Sequence, residues 1–141
     1  MKQRYLLDTI ICVYWLRDKY DVKGRVNSVG MENCYISEIT VAELIYGREY
    51  GKMKGGSKYK EQKLEKFFED INVLPIALAF ELYGREKARL RIKGTPLEDE
   101  FDLLIGCTAV TEGMVLVTEN VKDFKNIKDI RIENWVSSHA E

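Results

Sequence analysis

Tyr5-Leu6-Leu7-Asp8-Thr9 is the stretch from which the fold is read. Three residues with the character of a buried strand end abruptly in a carboxylate and a hydroxyl. A carboxylate in an apolar run is costly unless it is paired, hydrogen-bonded or bound to a metal. At the carboxyl end of a strand in an α/β sheet, it lies where such folds place their ligand crevice. The question is then which other acids reach the same edge.

Outward from Asp8 the chain alternates between strand and helix patterns. Residues 9–19 carry an apolar helical face through Ile10, Ile11, Val13, Tyr14 and Leu16. Residues 21–33 are polar and read as a helix tail and loop. Cys34-Tyr35-Ile36-Ser37 is a second strand. Thr40 then reads as an N-cap with Glu43 three residues later, a capping-box signature for a helix reaching towards Tyr50. Glycines within residues 51–57 break it, and helical periodicity resumes over 58–70. Val73-Leu74-Pro75-Ile76 is a third strand, with Pro75 at its exit.

Residues 77–93 form a long helix in this reading, with Leu78, Leu82, Ala88 and Ile92 inward. A further helix covers 99–112, with Phe101, Leu104, Ile105 and Ala109 on one side and Gly113 as its stop. Met114-Val115-Leu116-Val117-Thr118 has the continuous apolar character of a central parallel strand. Residues 120–126 are a turn or short helix, and Ile130-Arg131-Ile132 is an edge strand. The pattern predicts an α/β fold: a central parallel sheet of four to five strands with helices on both faces, as one domain over residues 1–141.

The chain has 141 residues, 45% hydrophobic and 32% charged, with a formal net charge of −1. That balance argues against a generally basic nucleic-acid coat, but not against local basic patches. The three cysteines, Cys12, Cys34 and Cys107, lack C-x-x-C spacing and sit in apolar runs, which reads as reduced core thiols in a cytoplasmic protein. His139 is the only histidine, so a zinc site and a histidine-based triad both lack ligands. No run has the length of a membrane span or the pattern of a signal peptide.

Residues at strand carboxyl ends and at the starts of following helices share one edge of a parallel sheet. Asp8, Glu43, Asp102 and Asp123 all fall at such places. Four acids in one cleft repel one another unless a cation joins them. Mg²⁺ or Mn²⁺ suits such donors and supplies phosphodiester chemistry without a histidine. Each acid also has a structural reading. Glu43 completes a capping box, Asp8 caps the helix after it, Glu98, Asp99 and Asp102 complement a helix dipole, and Asp123 is a turn residue.

Leu6-Leu7-Asp8-Thr9, Thr40-Val41-Ala42-Glu43-Leu44-x-Tyr46-Gly47, Asp102-Leu103-Leu104-Ile105-Gly106 and Val117-Thr118-x-Asn120-x-x-Asp123-Phe124 together resemble the successive signatures of PIN domains, in order, from Tyr5 to Trp135. Within that family the chain is most similar to the VapC-type toxins of bacterial toxin–antitoxin pairs. The resemblance implies a Mg²⁺- or Mn²⁺-dependent endoribonuclease with Asp8, Glu43 and Asp102 as its carboxylate core and Asp123 as a less constant fourth. It implies that Thr9, Thr118 and Asn120 orient that core. It also implies a homodimer and silencing by a VapB-like antitoxin whose tail enters the groove beside the acids. The chain departs from the pattern at Gly106-Cys107, where two alanines are common. Glu98, Asp99 and Glu100 add acids upstream of Asp102, so that Asp99 competes as third ligand, and Glu119 adds another beside Thr118.

Arg48, Lys52, Lys54 and Lys58 lie in a flexible, glycine-rich stretch interleaved with Tyr46, Tyr50 and Tyr59, a composition suited to looped RNA. Tyr14, Trp15 and Tyr46 suggest a groove for an antitoxin segment. A receiver-like domain would need an acidic pair before the acceptor and a late-strand lysine, and this chain has neither. A D-x-D phosphatase would need an acid where Ile10 stands. A PIN-fold module that binds RNA or protein without cutting is the remaining alternative.

Overall fold

The computed structural model describes residues 2–57 and 59–136. Strands β1 (Tyr5–Leu7), β2 (Cys34–Ser37), β3 (Asn72–Leu74), β4 (Val115–Val117) and β5 (Ile132–Glu133) form one sheet in the order β3-β2-β1-β4-β5. Every pairing is parallel, and Leu6 stands between Tyr35 and Leu116. The expected parallel sheet is present. Its three-residue central strands work because they are apolar on both sides: Leu6, Leu7, Leu116 and Val117 are all fully buried.

Seven α-helices connect the strands among the described residues: α1 (Thr9–Leu16), α2 (Val22–Val29), α3 (Glu38–Lys54), α4 (Glu61–Asp70), α5 (Phe80–Lys93), α6 (Glu100–Thr111) and α7 (Val121–Phe124). Alternate side chains of β1 point to opposite faces of the sheet, and each face has its own core. Leu7 packs with Ile11, Leu16, Leu44, Phe67 and Trp135 on the α1–α4 side. Leu6 packs with Leu90, Ile105, Phe124 and Ile127 on the α5–α7 side. The chain steps outward from β1 to β3 and then returns to place β4 beside β1. That reversal opens a crevice at the carboxyl ends of β1 and β4.

Three local expectations need correction. Ser37, not Thr40, is the N-cap of α3, and its Oγ accepts from the Thr40 backbone N–H at 3.3 Å. The capping box of Thr40 with Glu43 therefore does not form, and Glu43 lies beyond the first turn. The same helix runs through Gly47 and Gly51 to Gly55, whose φ of 94° ends it. The chain folds back onto the bare helix face at Gly51, where a Cβ would come within 2.9 Å of the Ser57 Cα.

Residues 21–33, expected as the tail of the preceding helix and a loop, hold a separate helix, α2, and a 3-10 turn over Met31–Asn33. The chain enters α2 through Asp18, Tyr20 and Asp21, all at positive φ, and buries Val22 and Val26 one turn apart. Asp18 pairs with both Lys23 and Lys63, which ties the turn to α4.

The helix expected over residues 77–93 is a 3-10 turn (Ala77–Ala79) followed by α5, and its phase differs from the expected one. Leu78 and Ile92 are exposed, while Ala79, Glu86 and Leu90 are buried. Glu86 is only 3% exposed because Arg89 grips both of its oxygens and the Lys128 N–H donates to Oε1 at 2.7 Å. A buried carboxylate, paired with a partly exposed arginine, thus occupies the inward stripe that hydrophobicity assigned elsewhere. In α6, Ile105 and Ala109 are buried as expected, but Phe101 is exposed.

Candidate active site

Asp8 follows β1 directly and caps α1, its Oδ1 accepting from the Thr9 N–H at 2.8 Å. Its Oδ2 accepts from the Thr118 hydroxyl, also at 2.8 Å. Thr118 follows β4, so this bond crosses the crevice where the strand order reverses. The Thr118 oxygen in turn accepts from the Asn120 N–H at 3.0 Å. Asn120 therefore contributes through its backbone. Asp8 is 4% exposed, and that burial pushes its pKa up to about 6, against the lowering effect of Thr118 and Thr9.

Glu43 projects from α3 towards the same point. Its Oε1 accepts from the Thr9 hydroxyl at 2.6 Å. The Thr9 oxygen lies 3.0 Å from the Thr40 oxygen. A hydroxyl carries one proton, and that of Thr9 goes to the carboxylate, so Thr40 donates to Thr9. Burial, with the charge of Asp99 behind it, raises the pKa of Glu43. Thr40 is fully buried and was assigned by sequence to a helix cap. Its residue type was legible, but its inward direction follows only once Ser37 takes the cap.

Asp102 lies in the first turn of α6, half-buried, with its pKa raised to about 7. Burial is the largest cause, followed by the charges of Asp8, Asp99, Glu43 and Asp123. Asp99 is the N-cap of α6, its Oδ1 accepting from the N–H groups of Phe101 and Asp102. It commits that oxygen to the helix and contributes to the acids through its field. Asp123, on α7, is exposed and acts on Asp102 from the opposite side of a cleft of about 430 Å³. That cleft is lined by Glu98, Asp99, Asp102, Lys122, Asp123 and Asn126 among others. The four acids singled out from sequence thus converge on one edge, with Asp123 outermost.

The donors are oxygens, the chemistry that Mg²⁺ and Mn²⁺ prefer. Among the described residues no three acidic, imidazole or thiol side chains are placed to close around one ion. The arrangement is a shared acidic field. It fits an ion that keeps several of its waters and takes only a few carboxylates.

The remaining predicted contacts divide. Arg48 pairs with Glu49, and Lys52 with Glu49 and Glu61, so both are tied within the chain. Lys54 sits 5.5 Å over the Tyr50 ring. Lys58 lies outside the described residues. A groove of about 760 Å³ begins at Thr9 and Glu43 and runs along α3 past Tyr46, Tyr50 and Lys54. Tyr14 and Trp15 do not line it. Tyr14 donates to Glu119 and stacks edge-on with Tyr20, while Trp15 packs on Phe67. Burial and the Glu119 bond push the Tyr14 pKa up to about 12.

The PIN domain family model matches residues 5–130. The chain is 34% identical to the tRNA(fMet)-specific endonuclease VapC of Salmonella typhimurium, covering 94% of this chain and 98% of the relative. It is 33% identical to ribonuclease VapC2 of Rickettsia felis, covering 93% and 97%. Among solved structures it is similar to VapBC2 of Rickettsia felis bound to a promoter DNA fragment, with a TM-score of 0.80, 34% identity and coverage of 94% and 99%. DNA-bound VapBC of Salmonella typhimurium gives a TM-score of 0.79 at 34% identity, covering 94% and 98%. With motifs, sheet order and relatives in agreement, the chain belongs to the PIN-domain family and, within it, to the VapC-type ribonucleases.

Proposed function

We propose that this chain is a Mg²⁺- or Mn²⁺-dependent endoribonuclease that hydrolyses RNA phosphodiester bonds at Asp8, Glu43 and Asp102, with Asp123 as an outer acid. The observation that carries the reading is mutual: Asp102 is raised to about 7 by burial and by the fields of Asp8, Asp99, Glu43 and Asp123, acids from separate segments. Such a cluster is held at a cost that a divalent cation would relieve. When bound, the ion would lower the pKa of a water and offset charge on the phosphodiester.

The chain's own residues supply orientation. Thr118 and Thr9 give their single protons to Asp8 and Glu43, which fixes both carboxylates and favours their charged forms. Thr40 holds Thr9 in turn. Asp102, raised to about 7, carries a proton part of the time at neutral pH without a cation, and a bound cation would displace it.

The relatives extend the proposal. Solved neighbours are VapBC complexes, so a VapB-like antitoxin is the proposed restraining partner, with the toxin a homodimer, one domain per chain over residues 1–141. The cytoplasm is the proposed compartment. All three cysteines are buried free thiols, and among the described residues no helix is long and apolar enough to cross a membrane. The tRNA(fMet) specificity of the Salmonella relative makes a structured RNA with an exposed loop the first substrate to try. The test is RNA cleavage after EDTA treatment and metal restoration, with analysis of the new ends. Cutting restored by Mg²⁺ or Mn²⁺, leaving 5′-phosphates, is expected, and cutting that persists in EDTA would overturn the metal dependence.

A further inference from the structure

We infer that the α3 face carrying Tyr46, Tyr50 and Lys54 is a stacking platform that draws single-stranded RNA bases away from the acids. This rests on the ribonuclease reading and adds the residues that select the strand. Glu43, Tyr46, Tyr50 and Lys54 recur at helical spacing, so they lie on one face of α3. From Glu43 to Lys54 that face spans about 16 Å at the helical rise. It forms one wall of the groove that begins at Thr9 and Glu43, so a strand leaving the acids meets Tyr46 first.

The chemistry selects the occupant. Tyr46 is 68% exposed and Tyr50 52%, large aromatic surfaces that a folded chain ordinarily covers. Their ring centroids are 5.9 Å apart and inclined by 31°. That separation exceeds the roughly 3.4 Å step of stacked bases in a duplex strand. Lys54 lies over the Tyr50 ring at the far end, placed for the phosphate of a base stacked there. Among the described residues of this stretch, Arg48 and Lys52 are paired with Glu49 and Glu61, while Lys54 stands over the Tyr50 ring. Tyr59 closes the floor, donating to the Leu44 carbonyl at 3.2 Å. A duplex keeps its base faces stacked inside and offers this platform nothing.

The test is fluorescence anisotropy in EDTA with labelled single-stranded and double-stranded RNA of one sequence. The proteins are wild type, Tyr46→Ala, Tyr50→Ala and the corresponding Phe variants, each checked for an unchanged thermal melt. Wild-type cleavage with metal is measured alongside. Each Ala variant is expected to weaken single-strand binding by roughly 5- to 100-fold, the span of one lost base stack, with Phe restoring it and duplex binding unmoved. Equal binding by wild type and Ala variants, in a protein that cuts RNA, would overturn the platform alone. A wild type that neither binds nor cuts RNA would overturn the reading beneath it. Ala variants that lose only an antitoxin peptide while keeping RNA would reassign the face to protein.

Discussion

Two clefts flank the acids, one lined by Asp102 and the other by Glu43, and their walls differ in chemistry. On the Asp102 side the walls are Glu98, Asp99, Asp123, Lys122 and Asn126, a field of carboxylates with one cation among them. On the Glu43 side they are Ile10, Val13, Leu44, Tyr46 and Tyr50, apolar and aromatic. A negative phosphodiester enters the first only with a cation, whereas unstacked bases enter the second on their own chemistry. The difference teaches that catalysis and strand selection are separable here. Asp102 and Asp123 come to the acids from α6 and α7, whereas α3 brings Glu43 to the acids and carries Tyr46 and Tyr50 away from them along the groove.

The comparison breaks if the clefts respond alike to substitution. Asp102→Asn is expected to cost the most, roughly 10³-fold in metal-dependent cleavage, with RNA affinity in EDTA nearly unchanged. Single-turnover kinetics beside anisotropy would check both halves. Thr40→Val removes the hydroxyl that holds Thr9 without changing the side-chain shape, and should lose about 10- to 100-fold in Mn²⁺ affinity by calorimetry, with Thr40→Ser restoring it. Lys54→Ala should weaken single-stranded RNA several-fold and reduce the salt slope, whereas Lys52→Ala, already neutralised by Glu49 and Glu61, should leave both unchanged.

A smaller effect sharpens the electrostatic side. Asp102 has a folded pKa of about 7, well above the usual unfolded carboxylate value near 4. The native state then binds more protons between those values, so metal-free stability falls as pH rises through that window and levels off above it. Asp102→Asn removes its share of the slope, leaving that of Asp8 and Glu43. In EDTA the variant should melt a few degrees above wild type at pH 8 and level with it near pH 4. A variant that melts lower at pH 8 would mean that Asp102 is stabilised as a carboxylate by a partner other than metal.

Much of the fold was legible because its central strands carry an unambiguous signal. Leu6-Leu7 and Val115-Leu116-Val117 are apolar on both faces, and no helix accounts for such short runs. The convergence of Asp8, Glu43, Asp102 and Asp123 followed from their places at strand ends and helix starts. What the sequence hid was decided by tertiary contacts. The α5 face turned on Glu86, whose burial needs Arg89 and the Lys128 amide, groups 3 and 42 residues away. The length of α3 turned on Gly51, read as a breaker yet helical because the following segment packs against it. The pairing of Lys52 with Glu61 on α4 likewise needed the fold, whereas that of Arg48 with Glu49 is local.

The central claim is that Asp8 anchors a metal-dependent nuclease centre. The most direct measurement is cleavage of a mixed cellular RNA pool with Mg²⁺, Mn²⁺ or EDTA, comparing purified, partner-free wild type with Asp8→Asn. Metal-dependent cutting by wild type that vanishes in the variant, with the fold retained, is the predicted result. Cutting that survives Asp8→Asn would contradict the acidic-site assignment, and a folded wild type that cuts nothing with any metal would favour a binding module.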